Sequence, residues 1–85
     1  MSLRQNYPNP FNPSTNISFS LPRSGFTSLK IYDALGKEVA TAFSGNLNAG
    51  EYSIPWEANG LPDGIYYYRL TSGTTTETKK LVLMK

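Results

Sequence analysis

The chain has 85 residues, 39% hydrophobic and 13% aromatic, with eight Lys or Arg against six Asp or Glu and a net charge of +2. This is one small domain, able to bury only roughly 60–65% of its unfolded surface, and its charge is too balanced to argue for nucleic acid or an anionic membrane. Cysteine and histidine are both absent, which removes a disulfide framework, the usual zinc ligands, the usual general base and any Cys-His or Ser-His pair, so the composition argues against an enzyme and implies no cofactor.

No run approaches the ~18 apolar residues of a membrane span, and no apolar stretch follows Met1. Met1-Ser2-Leu3 reads as an expression-vector remnant, with 1–5 as that remnant or a linker end and 6–85 as the domain. The run Asn6-Tyr7-Pro8-Asn9-Pro10-Phe11-Asn12-Pro13 follows, continuing into Ser14 and Thr15. Three prolines exclude a helix and predict a stiff, extended lead-in; Asn6, Asn9 and Asn12 can bond back to nearby backbone, and Tyr7 and Phe11 offer apolar surface to pin the lead-in to a folded body.

Strict alternation then puts Ile17, Phe19 and Leu21 on one face of a strand over 16–21. Residues 22–25 form a turn, and a second strand over 26–33 sets Leu29 and Ile31 against Ser28, Lys30 and Tyr32. Gly36 supplies a positive φ in the tight connection to a third strand over 37–43, where Val39 is the surest core residue. Residues 44–50 read as a polar loop before a strand over 51–56 that aligns Tyr52, Ile54 and Trp56; Pro55 assigns that strand to an edge or ends it there. Turn signals at Asn59-Gly60 and Pro62-Asp63-Gly64 precede a strand over 65–72 with Tyr66, Tyr68 and Leu70 on one face. A last strand over 78–84 carries the continuous apolar run Leu81-Val82-Leu83-Met84, whose buried face periodicity cannot assign.

Six strands, or seven if the lead-in pairs, at roughly 8–12 residue spacing and without helical periodicity describe an all-β fold, an Ig-like antiparallel β-sandwich. The approach Leu61-Pro62-Asp63-Gly64-Ile65-Tyr66 has the form of a tyrosine corner, with Tyr66 as the residue whose hydroxyl bonds upstream backbone.

Four segments, in order, carry a family resemblance. These are the opening run through Thr15, Ile17 and Leu21-Pro22; Leu29-Lys30-Ile31-Tyr32-Asp33 with Gly36-Lys37-Glu38-Val39; Leu61 and Gly64-Ile65-Tyr66-Tyr67-Tyr68-Arg69-Leu70; and Thr78-Lys79-Lys80-Leu81-Val82-Leu83 with Lys85. Together they resemble the C-terminal sorting domain of the type IX secretion system, found in gliding and surface-colonising Bacteroidetes and related groups. Ala42 stands where that pattern carries a larger apolar residue. The strand pattern is also similar to the Ig-like domain of flagellar hook-capping proteins, but the proline-rich opening and the Lys-Lys-apolar ending favour the sorting domain.

The resemblance implies a non-catalytic signal that ends a cargo protein. It is recognised by the outer-membrane translocon, usually cleaved by a surface sortase upstream of Asn6, and often followed by anchoring on an anionic surface lipopolysaccharide; the protein is then secreted or held at the cell surface. It makes Gly64, Tyr66, Lys79, Lys80, Leu81, Val82, Leu83 and Lys85 the candidate sorting signal, and residues 6–13 the junction between cargo and signal. The 81–84 edge is open to strand addition by a partner or to pairing between copies as a dimer. The alternative is an Ig-like structural or carbohydrate-binding module of a secreted enzyme. Alternation weakens a sugar platform on Trp56 and Tyr66 to Tyr68, since it leaves Tyr67 as the one free ring of the three tyrosines.

Overall fold

Alternation sets the architecture. In the computed structural model, which describes residues 1–84, the segment around Ile17, Phe19 and Leu21 is strand β2 (Ser14–Leu21), with those three side chains buried and their neighbours turned outward. The chain order is β1 (Ser2–Leu3), β2, β3 (Gly25–Asp33), β4 (Glu38–Leu47), β5 (Gly50–Glu57), β6 (Gly64–Ser72) and β7 (Thr75–Leu83). Two antiparallel sheets, β1-β2-β5 and β4-β3-β6-β7, face each other as a sandwich. Between them lie Ile17 and Phe19 from one sheet and Leu29, Ile31, Tyr68, Leu70, Leu81 and Leu83 from the other, all fully buried. This apolar interior is the main driving force for the fold.

Pro55 sits on β5, at the edge of its sheet, where its missing N–H breaks no interior ladder. Asp33 shapes the β3–β4 turn: its Oδ1 accepts from the Leu35 and Lys37 amides, each at 2.9 Å, while Gly36 takes φ +88°. A side chain at residue 36 would be strained in that left-handed conformation.

Several expectations need correction. Residues 44–47, read as a polar loop, extend β4, because they pair with Gly25 to Ser28 of β3. Val39 is half-buried, and no β4 residue is fully buried; register shifts at Leu29/Lys30 and Ile31/Tyr32 rotate the strand's faces and break its alternation. The seventh strand comes from residues 2–3, which were expected to lie outside the domain. Leu3 is buried, its strand pairs with β2, and its amide reaches Glu77 Oε1 at 3.3 Å. The lead-in is bent at 8–10 and 12–13 rather than extended.

Candidate functional site

The two segments singled out in the sequence, the asparagine-proline run and the last strand, are one structure. β7 ends the four-stranded sheet, and the lead-in lies along its outer edge. The Phe11 amide donates to the Val82 carbonyl and the Met84 amide donates to the Phe11 carbonyl, both at 3.0 Å. Asn9 Oδ1 accepts from the Val82 amide at 2.9 Å, and Gln5 Nε2 donates to the Lys80 carbonyl at 2.7 Å. On the 81–84 edge expected to be open to a partner strand or a second copy, the Val82 amide and carbonyl and the Met84 amide are therefore already used.

Register decides which lead-in rings enter the core. Phe11 pairs with Leu83, an inward residue, so its ring turns inward; it is 2% exposed and lies 5.9 Å from the Trp56 ring. Tyr7 pairs with Asn16, an outward residue, and is 81% exposed, so it does not pin the lead-in as expected. Buried Asn6 takes that role. Its Nδ2 donates to the Pro8 carbonyl and to Thr15 Oγ1, each at 3.0 Å, and Thr15 Oγ1 donates to the same Pro8 carbonyl at 2.8 Å. The Pro13 carbonyl accepts from the Ala58 amide at 3.0 Å. Pro8, Asn9, Pro10, Asn12 and Pro13 are exposed.

Tyr68 ties this clasp to the core. Its hydroxyl accepts from the Asn6 amide at 2.9 Å and donates to the Arg4 carbonyl at 2.7 Å, while its ring is fully buried. Burial pushes the phenol up to about 12 from 10.0, against a smaller downward pull from the Asn6 N–H. Alternation had placed the Tyr68 ring in the core, but nothing in the spacing signalled what its hydroxyl, Thr15 or Gln5 would bond. Tyr66 forms the expected corner, donating to the Pro62 carbonyl at 2.6 Å; burial, then the charges of Asp33 and Asp63, raise its pKa.

The remaining sorting candidates divide by face. Leu81 and Leu83 are buried with Tyr66, Val82 and Lys79 are half-buried, Lys80 is exposed, and Lys85 lies outside the described residues. Gly64 opens β6 opposite Leu83 at φ +151°, where a side chain would be strained. Trp56 packs against Phe11 inside the sandwich, which withdraws it from any surface sugar platform. Among the described residues no cluster of acidic side chains is arranged to hold a metal, and no helix is long and apolar enough to cross a membrane.

A family model described as the secretion system C-terminal sorting domain matches residues 5–84. The chain belongs to that family. The sorting domain is a type IX secretion signal, carried at the C-terminus of proteins exported across the outer membrane to the cell surface or beyond. The fold agrees with a solved chain from work on PorZ, described as an essential bacterial surface component of the type IX secretion system of human oral-microbiomic Porphyromonas gingivalis. The likeness has a TM-score of 0.63 at 20% identity, over 95% of this chain and 11% of that one. The sorting domain thus spans a small part of that protein's length, and the likeness is one of fold. No curated protein matches the chain.

Proposed function

We propose that the sorting domain does no chemistry and is read as a folded address by the outer-membrane translocon and a surface sortase, which release or anchor a cargo domain N-terminal to it. The observation that carries this reading is the pairing of Phe11 between Val82 and Met84, which makes the junction run and the C-terminal strand a single surface. Leu81, Leu83 and Tyr66 then act by building the fold, and Lys79, Lys80, Val82 and the exposed prolines are what a partner meets. Sortase cleavage falls ahead of this body. A cut between Arg4 and Asn6 would remove β1 and the Arg4 carbonyl that Tyr68 bonds. A dimer formed by edge pairing would use β4, the outer strand at the opposite side of the sheet.

The test is export of a periplasmic reporter fused ahead of the domain in a type IX-competent host. The intact domain brings the reporter to the surface, and removing 78–85 abolishes export. Removing 6–13 has the same effect, whereas surface delivery that survives that removal would reduce the run to a passive junction.

A further inference from the structure

Cross-strand register gives the outer face of the four-stranded sheet an unusual composition. Tyr32 stands beside Tyr67 and Tyr67 beside Lys80; Lys30 is beside Arg69, and Ile65 beside Val82. An antiparallel sheet facing water on one side carries polar residues there, yet Ile65 is 45% and Tyr67 38% exposed, and Tyr32 and Val82 are half-buried next to them. The Arg69 guanidinium lies 4.7 Å from the Tyr32 ring centroid, and Lys30 Nζ is 3.3 Å from Glu38 Oε1. Lys30, Arg69 and Lys80 thus face a single carboxylate among the described residues of this face, Glu38.

We propose that this face docks an acidic protein surface, with carboxylates meeting Arg69 and Lys80 around an apolar contact with Ile65, Tyr67 and Val82. The inference rests on the sorting reading and names the chemistry of the partner that reads it. Tyrosine and arginine on a flat patch are the composition of interface anchors, and the guanidinium fork matches carboxylates. A polysaccharide fits less well, because Arg69 covers one face of Tyr32 and leaves Tyr67 as the single free stacking ring. A concavity lined by Leu21 to Gly25 and Ser72 to Thr75 lies at the other end of the sandwich.

The test uses the same reporter fusion. The R69E/K80E pair is expected to lower surface export at least tenfold while the purified domain melts as the unsubstituted one does. R23E, a charge reversal in the turn at the other end, leaves export unchanged. Export of R69E/K80E at the unsubstituted level overturns the docking surface and leaves the sorting reading standing; failure of the unsubstituted domain to export overturns the sorting reading itself. An equal loss with R23E shows that net charge alone acts, which also overturns the docking surface. In a second arm, a benzophenone amino acid at residue 67 crosslinks in cells to a protein, and R69E/K80E abolishes that product. Crosslinking to a second copy of the domain, or to a periodate-sensitive polymer, assigns the face to another occupant and overturns the proposal.

Discussion

Replacing Tyr68 with Phe removes one oxygen from the point where the clasp meets the core. The ring stays, so the packing of β6 against the opposite sheet is kept, and the loss is confined to two hydrogen bonds, to the Asn6 amide at 2.9 Å and the Arg4 carbonyl at 2.7 Å. Each such bond contributes about 1 kcal/mol net, and leaving the buried Asn6 N–H without an acceptor adds about 1–2 kcal/mol more. The expected cost is therefore about 3–4 kcal/mol, a fall of roughly 12–30 °C in Tm for a domain of this size. Urea unfolding followed by Trp56 fluorescence, together with calorimetry, measures it.

The pH dependence supplies a second readout. The folded phenol titrates near 12 against 10.0 unfolded, so its contribution is fully present below pH 10 and is lost as pH rises from 10 to 12. The stability gap between the native domain and Y68F should close over that window, while Tyr66, also raised, acts equally in both proteins. A Tm change under about 3 °C, or a gap constant from pH 8 to 12, would refute the hydroxyl's role as the tie.

Phe11→Ala should cost about 3–5 kcal/mol in urea unfolding, because the ring is 2% exposed and its loss leaves a cavity beside Trp56; a cost under about 1 kcal/mol would mean that the ring is not in the core. Tyr7→Ala should lie within about 0.5 kcal/mol of the native domain in the same assay, despite its place in the same run, since the ring is 81% exposed and the segment is held through its backbone. Tyr66→Phe should lose about 1 kcal/mol, or roughly 4–8 °C by calorimetry, for its one bond to the Pro62 carbonyl. Arg4→Ala should change stability by less than about 1 kcal/mol even though its guanidinium lies 2.6 Å from Glu51, because both side chains are largely in water; a larger loss in thermal melts would show that the pair is not screened.

The sandwich was legible where one face of a strand is buried and its register is regular. Ile17, Phe19 and Leu21, then Tyr66, Tyr68 and Leu70, declare their strands by period two, and Pro55 marks an edge because it lacks a donor. β4 was only partly legible. Its bulges rotate the faces mid-strand, and Gly45 and Asn46 look like a loop until Thr27 and Phe26 of β3 are there to pair with them. The lead-in defeated sequence reasoning for a related cause. Two rings four residues apart are equivalent as letters; Leu83, at the far end of the chain, turns Phe11 in, and Asn16 of β2 turns Tyr7 out.

The same pairing explains how so apolar a strand can end an exported domain. Leu81 to Met84 at a bare sheet edge would template association with any extended chain, and a protein that crosses the envelope meets many. β7 escapes this because Asn9 and Phe11 occupy the Val82 amide and carbonyl and the Met84 amide, and Gln5 takes the Lys80 carbonyl. The lead-in can do so without becoming an aggregation-prone edge itself, since prolines at 8, 10 and 13 leave it too few donors to continue the ladder. The proline-rich segment that precedes β2 in the sequence thus covers the edge of β7 in space through Asn9 and Phe11, and the apolar run of β7 can be kept for the core that Leu81 and Leu83 complete.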